Sequence, residues 1–362
     1  KKIKEDIAKA RLSIARLIHA NSNEIIFTSC ASESNNTAIM SAVRNNPNKH
    51  HLITTCVEHS SILETMKYLE SIGYDVTYLS VDSKGRINLE ELRNSIRPDT
   101  LLISIMFANN EIGNIFPIKD IGNIAKQYGI LFHVDAVQII GKARIDVKAM
   151  NIDTLSLSGH KIYAPKGVGV LYVKNDTPYT SLIFGGHQEQ SRRAGTENVA
   201  YIAGLGKAAD IIMNDNYRVN IKISSLRDYM EKKILDTIPN VTIYGDLYNR
   251  VPNTSSISFS GVQGKDLLFA LDNHNICVST GSACSAGFLK NSHVLEMMHA
   301  DLTHSSPIRI SLGKYNTKEE IDYFTNILIP IIKKLRIDSN ISIRSNRNTV
   351  KFVLIKIVLY LV

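Results

Sequence analysis

The chain has 362 residues, 44% of them hydrophobic and 21% charged, with only 9 Pro and no low-complexity tract; it is long enough for a large domain with a smaller companion, and its composition excludes a disordered or fibrous protein. Lys and Arg number 42 against 34 Asp and Glu, but residues 331–362 alone hold seven Lys/Arg against one Asp, so the rest of the chain is nearly neutral and offers no basic surface of the kind a nucleic acid recruits. Four cysteines, at 30, 56, 277 and 284, form no Cys-x-x-Cys pair, which fits a reducing, cytoplasmic compartment rather than a disulfide framework.

The chain opens on a lysine-rich amphipathic stretch, with Ile3, Ile7, Ile14 and Leu17 at helical spacing and no apolar centre of a signal peptide. Strand-length apolar runs follow at residues 25–28, 52–57, 76–81, 101–107, 130–137, 154–158 and 168–173, and helical periodicity or capping signals fill 33–43, 60–71, 89–96 and 118–128 between the first five. Strands alternating with helices predict an α/β fold, a mostly parallel sheet with helices on both faces. From about residue 198 the pattern changes to helices at 199–214 and 217–238, short strands at 241–244, 255–260, 276–278 and 308–312, and a last helix over 318–335. The expected organisation is a large domain at 1–198, a smaller α+β domain at 199–335 and an atypical basic and apolar tail at 336–362. Residues 350–362 are strongly apolar but only about a dozen with two lysines, short of the ~20 residues a bilayer helix needs. They read as a buried strand, a helix or an altered reading frame, and no membrane span is expected.

In such sheets function collects at the carboxyl ends of the strands, and polar residues gather there in this chain. Thr28-Ser29-Cys30-Ala31-Ser32-Glu33 follows the first run and opens a helix, a geometry suited to a phosphate and equally to an ordinary serine cap. Glu58-His59 follows the second run and Asn109-Asn110-Glu111 the fourth. Asp135 lies inside the apolar run 130–140, where a carboxylate needs a positive partner: a structural salt bridge, or the pyridinium nitrogen of a pyridoxal cofactor. Ser158-Gly159-His160 adds hydroxyl and imidazole donors beside Lys161, a candidate Schiff-base former followed by the apolar run 168–173. His59 reads either as a surface cap or as a ring that stacks on a cofactor and shuttles protons. Residues 279–287 (STGSACSAG) describe a glycine- and serine-rich loop carrying one thiol, Cys284, in a position that favours a reactive nucleophile. Other motifs fail on context: the glycines around 204–209 lie in a helical pattern, no P-loop or His-Glu-x-x-His is present, and the 11 His show no metal-ligand spacing with Cys.

Taken in order, TSCASES, EHS, ANNEIG, HVDAVQ, SLSGHK, GGHQEQSRRAGTEN, STGSACSAG and SPIRISLG resemble the cysteine desulfurases among the class V aminotransferases, those of the NifS branch and, similarly, of the IscS branch. The resemblance covers about residues 5–335. It implies a type I pyridoxal-phosphate-dependent transferase fold and a homodimer that removes sulfur from L-cysteine, leaving L-alanine, for iron–sulfur cluster assembly or other sulfur transfer. By the matching motifs, Lys161 carries pyridoxal 5'-phosphate, Asp135 pairs with the ring nitrogen, Gln138 with the ring hydroxyl, and His59 stacks on the ring. Ala31, Ser32, Ser158, Gly159 and His160 hold the phosphate, with Thr196 reaching it from the other subunit. Asn110 and Arg309 bind the substrate carboxylate, Asn110 also lining the cofactor, and Cys284 attacks the substrate sulfur to become a persulfide. No intrinsic metal site is implied, Cys284 being at most a transient ligand of an iron–sulfur cluster.

Partners beyond L-cysteine are an iron–sulfur scaffold or another sulfur-acceptor protein, with neither nucleic acid nor membrane. Family members begin with a further strand, so the large domain is expected to lack that segment; Ser32 stands where Thr is usual, and the hydroxyl is kept. Cys56 and Cys277, within strand runs, are expected to be buried and inert, which leaves Cys30 as the rival of Cys284. A selenocysteine lyase, a plain aminotransferase or a catalytically silent acceptor-binding relative shares the frame. A plain aminotransferase needs no thiol, and a silent relative has no need of Lys161, Asp135, His59 and Cys284.

Overall fold

The computed structural model describes residues 2–281, 292–303 and 305–358. Its elements are α1 (Lys2–Leu17), β1 (Ile25–Thr28), α2 (Ala31–Asn45), β2 (His51–Thr55), α3 (Ser60–Ser71), β3 (Asp75–Leu79), α4 (Leu89–Ser95), β4 (Thr100–Ser104), α5 (Ile118–Tyr128), β5 (Leu131–Asp135), β6 (Thr154–Ser158) and β7 (Gly169–Val173). There follow α6 (Gln188–Ser191), α7 (Val199–Thr237), β8 (Val241–Tyr244), β9 (Thr254–Phe259), α8 (Gly264–Asp272), α9 (His293–Met297), β10 (Ile308–Ser311) and α10 (Lys318–Val358).

Apolar runs without alternation become strands buried on both faces: β2 and β4 are buried at every residue. Over one face of them lie α2 and α3, with Ile39, Val43, Ile62, Met66 and Leu69 against Leu52, Leu101 and Leu102. Seven strands form one sheet in the order β1-β7-β6-β5-β4-β2-β3. Strands β2 to β6 run parallel, and β7 runs antiparallel to both β6 and β1. The carboxyl ends of β2, β4, β5 and β6 therefore share one edge. Because β7 is reversed, its first residue, Gly169, lies at that same edge, opposite Ser158 of β6 and Thr28 of β1. A Cβ at Gly169 would stand 2.7 Å from the Cys30 carbonyl carbon. Glycine there lets the turn after β1 close onto the edge.

Two compact units emerge among the described residues: Lys1–Ile221 with Gly245–Pro252 and His293–Met298, and Lys222–Tyr244 with Asn253–Ser292 and His299–Val362. The first holds the seven-stranded sheet; the second holds an antiparallel sheet in the order β10-β9-β8. The division falls at residue 221 rather than after residue 198, because the first half of α7 packs within the first unit. There a Cβ on Gly206 would lie 2.5 Å from Ala10 Cα of α1. The helices expected at 199–214 and 217–238 are one helix, since no Gly or Pro interrupts residues 207–238. The last helix likewise continues past residue 335 to Val358, so residues 336–358 are part of α10. No helix among the described residues is long and apolar enough to cross a membrane.

Local differences have local causes. Strand β2 stops at Thr55 and β5 at Asp135, since the polar clusters that follow turn the chain away from the sheet. The run 276–278 is not a strand; Ser279 alone bridges to Arg309. With no strand to seal it, Cys277 is exposed rather than buried.

Replacing Gly169 by Ala should cost about 1–3 kcal/mol, as overpacking against backbone does, read as a lowered denaturant midpoint. Gly129, the left-handed cap of α5 with open space around it, should lose only about 1 kcal/mol in Gly129→Ala, the conformational cost alone. Equal losses in the two variants would contradict the close packing at Gly169.

Candidate active site

The first unit's sheet edge gathers most of the candidate residues. Asp135 ends β5, and its carboxylate is buried. Two donors hold it: the Val137 N–H on Oδ1 at 3.0 Å and the Asn35 amide of α2 on Oδ2 at 2.8 Å. His59 caps α3, its Nδ1 accepting from the Ser61 N–H at 3.1 Å with the Ser61 hydroxyl 2.9 Å away. Burial holds its pKa below the ordinary histidine value, and the charges of Lys161 and His293 push the same way, against Asp135 and Glu111. His59 thus stands within electrostatic reach of both Asp135 and Lys161.

Lys161 lies in the 3-10 turn Gly159–Ile162 that leaves β6. Its side chain is exposed in the single chain, although the run 168–173 that follows is buried. Beside it Ser158 Oγ and His160 Nδ1 are 2.9 Å apart, with Ser158 buried and His160 exposed. Although His160 is exposed in part, desolvation of its ring, with the Lys161 and Lys166 charges nearby, keeps it below its ordinary pKa. A larger residue at Gly159 would meet Val168 at 2.9 Å.

Across Gly169, Ala31 and Ser32 open α2 with backbone N–H groups that no preceding turn can satisfy. Glu33 secures this turn. Its carboxylate accepts the Ser29 N–H at 2.8 Å and the Ser29 hydroxyl, and Arg193 clasps it at 2.8 and 3.2 Å. Burial would raise Glu33, but the hydrogen bonds from Arg193 and Ser29 prevail and hold its carboxyl below the usual range. Thr196, three residues beyond Arg193, is exposed.

Asn110 is half-buried in the turn after β4, which neighbouring Asn109 braces by accepting the Glu111 and Ile112 N–H groups. Gln138 is half-buried, with Lys142 Nζ at 3.4 Å from its Oε1. Arg309 belongs to the second unit, on β10, where its backbone N–H donates to the Ser279 carbonyl at 2.6 Å. Cys284 lies outside the described residues. Burial pushes the Cys56 thiol up to about 11, in keeping with an inert role.

Sequence reasoning missed Asn35 and gave Glu58, named at its strand end, no role. Asn35 sits on the buried stripe Ala31, Ser34, Asn35, Ala38, Ile39, Ala42, and a polar residue at a core position is a signal in itself, since it must be hydrogen-bonded there. Glu58 is fully buried, its Oε1 taking the Thr55 hydroxyl at 2.8 Å and the Met106 N–H at 2.9 Å. Its Oε2 has no hydrogen-bond partner among the described residues. No group of three or more His, Cys, Asp and Glu among the described residues is placed to hold a metal ion.

Residues 1–324 match the family model described as aminotransferase class-V. The cysteine desulfurase of Nostoc sp. is 46% identical over 332 residues, covering 91% of this chain and 83% of its own length. Cysteine desulfurase IscS of Clostridium botulinum is 47% identical over 341 residues, covering 92% and 85%. A solved structure of a NifS-like protein superposes with a TM-score of 0.86 at 38% identity, over 92% of this chain and 88% of that one.

Burial pushes Glu58 up to about 8 from an ordinary 4.5, with the Met106 and Thr55 hydrogen bonds opposing and the Asp135 charge adding to the rise. The folded state then binds this proton more tightly than the unfolded chain. The stabilisation is complete below pH 4.5 and is lost as pH rises toward 8. Glu58→Gln keeps the acceptor and removes the titration, so its stability relative to wild type should climb across that window, by on the order of 3 kcal/mol. Urea midpoints at about pH 5 and about pH 8.5 measure this; a difference independent of pH would show that Glu58 is ionised in the fold.

Proposed function

We propose, for a chain that belongs to the class-V aminotransferases and, within them, to the cysteine desulfurases, that it removes sulfur from L-cysteine, leaves L-alanine and carries the sulfur as a persulfide on Cys284. One observation carries the reading: three segments, with His59 before α3, Asp135 at the end of β5, and Ser158, His160 and Lys161 at and just beyond the end of β6, meet at one sheet edge, with His59 under the charges of both Asp135 and Lys161.

The donor chemistry at this edge fits pyridoxal 5'-phosphate. Lys161 would hold it covalently through Nζ, Asp135 would face the ring nitrogen, Gln138 the ring hydroxyl and His59 the ring face. The N–H groups opening α2 at Ala31 and Ser32, with Ser158, Gly159 and His160, suit a phosphate. Thr196 would complete the phosphate site of the other subunit in a homodimer. Asn110 and Arg309 would bind the substrate carboxylate, Asn110 also bordering the cofactor. The cofactor, when bound, supplies an electron sink for the substrate Cα.

The chain's own groups perform the rest. Asp135, held by two donors, keeps its orientation toward a cation. Lys161 Nζ would take the Cα proton of the bound substrate. His59, whose charged form burial disfavours, serves as the acid–base partner beside it. Cys284 as thiolate would attack the substrate sulfur: a sulfur–sulfur bond forms, the bond from sulfur to Cβ breaks, Cβ is protonated, and Lys161 returns the proton to Cα to give alanine. The persulfide then passes to a sulfur acceptor in the cytoplasm, an iron–sulfur scaffold or another thiol protein.

Cys→Ala variants with L-cysteine as substrate test this assignment. Cys284→Ala should retain the cofactor's absorbance and its spectral response to L-cysteine yet release neither sulfide nor alanine, whereas Cys30→Ala and Cys277→Ala should turn over. Full activity in Cys284→Ala, or its loss only in Cys30→Ala, would overturn the assignment.

A further inference from the structure

Asn35 lies fully buried on α2 and touches groups from two other elements. Its amide nitrogen donates one hydrogen to Asp135 Oδ2 at 2.8 Å and the other to Ser61 Oγ at 2.9 Å. Its Oδ1 lies 3.1 Å from His133 Nε2. The amide has this orientation because the reverse would set an oxygen lone pair against the Asp135 carboxylate.

The proton order follows along the whole chain of contacts. Burial pushes His133 down to about 3, so its ring is neutral and carries one N–H. That N–H is on Nε2, donated to Asn35, and Nδ1 accepts the Thr154 hydroxyl at 2.9 Å. Ser61 Oγ, accepting from Asn35, has its own proton left for His59 Nδ1 at 2.9 Å. His59 Nδ1 is thereby an acceptor twice over, since the Ser61 N–H also reaches it, and the neutral His59 ring bears its proton on Nε2.

We propose that Asn35 is a positioning residue: through one carboxamide it sets the Asp135 carboxylate and, by way of Ser61, the His59 ring as a single hydrogen-bonded unit. Its use to the enzyme rests on the reading of Asp135 and His59 as the groups that hold the cofactor ring. Either residue alone has enough freedom to rotate about its side-chain torsions. Tied to the same amide, they keep a fixed relation to each other, which is what a ring gripped at its nitrogen and on its face requires. The titratable groups around position 35 are Asp135 and His133 on β5, His59 at the start of α3 by way of Ser61, and Glu33 on its own helix.

Asn35→Asp is the informative change in the full chain, because it keeps the volume and an acceptor for His133 while removing both donated hydrogens. The dissociation constant for pyridoxal 5'-phosphate, titrated into stripped protein, should rise about tenfold or more, the worth of a hydrogen bond to a charged group. The loss should shrink on acidification, where the introduced carboxyl regains a proton to donate; a packing defect would give the same loss at every pH. In 15N-histidine-labelled protein without cofactor, the His59 ring signals should move, although residue 35 does not touch that ring directly. Ser61→Ala should move His59 alone and weaken cofactor binding less. An affinity within about twofold of wild type with unmoved His59 signals would overturn the proposal. Should the new carboxylate prevent folding, Asn35→Ala with the same two readouts replaces it. Wild-type protein that fails to bind the cofactor, with Asn35→Asp still moving His59, would sink the cofactor reading and leave the unit itself standing.

Discussion

A carboxylate cannot end a buried strand unless donors reach it from elsewhere, and at Asp135 this constraint organises the neighbouring structure. The Val137 N–H satisfies one oxygen and Asn35 the other, so α2 must present a polar residue on its apolar stripe. That residue then needs an acceptor and a donor of its own, which His133 and Ser61 supply. Ser61 in turn holds His59 at the start of α3. One buried carboxylate is thus tied to polar residues on two helices and a strand.

The reversed strand β7 shapes the other half of the edge. Because β6 and β7 form an antiparallel pair, the chain leaves and re-enters the sheet on the same side, and residues 159–168 project there with Lys161 among them. The glycine that begins β7 admits the turn after β1. Charged pairs then hold the loops beyond the strands. Arg193 joins the segment carrying Thr196 to Glu33 beside that turn. Arg11 of α1 grips Glu189 at 2.7 Å, and Glu189 also accepts the Phe27 N–H at 2.9 Å. These contacts keep residues 189–191 in left-handed backbone, a conformation that side chains resist.

Legibility in the sequence followed the range of the forces involved. The alternation of runs foretold the parallel sheet, and polar clusters at strand ends singled out Asp135, His59, Ser158 and Lys161, because strand ends are where a buried sheet meets water and ligands. Asn35 escaped, since an asparagine in a helix reads as surface until its face is counted against the apolar stripe. Glu58 is visible at a strand end beside His59, but its role escapes, because only burial between Thr55 and Met106 sets its carboxyl apart. The unbroken α7 and the exposure of Cys277 depend on what packs where, which short apolar runs do not encode.

In the proposed active site Lys161 is the residue that would carry the cofactor. Borohydride reduction of the protein loaded with pyridoxal 5'-phosphate, followed by proteolysis and mass mapping, measures this most directly. The pyridoxyl group should be found on the peptide containing Lys161 and on no other. A label on a different lysine, with Lys161 unmodified, would contradict the placement of the active site at this sheet edge.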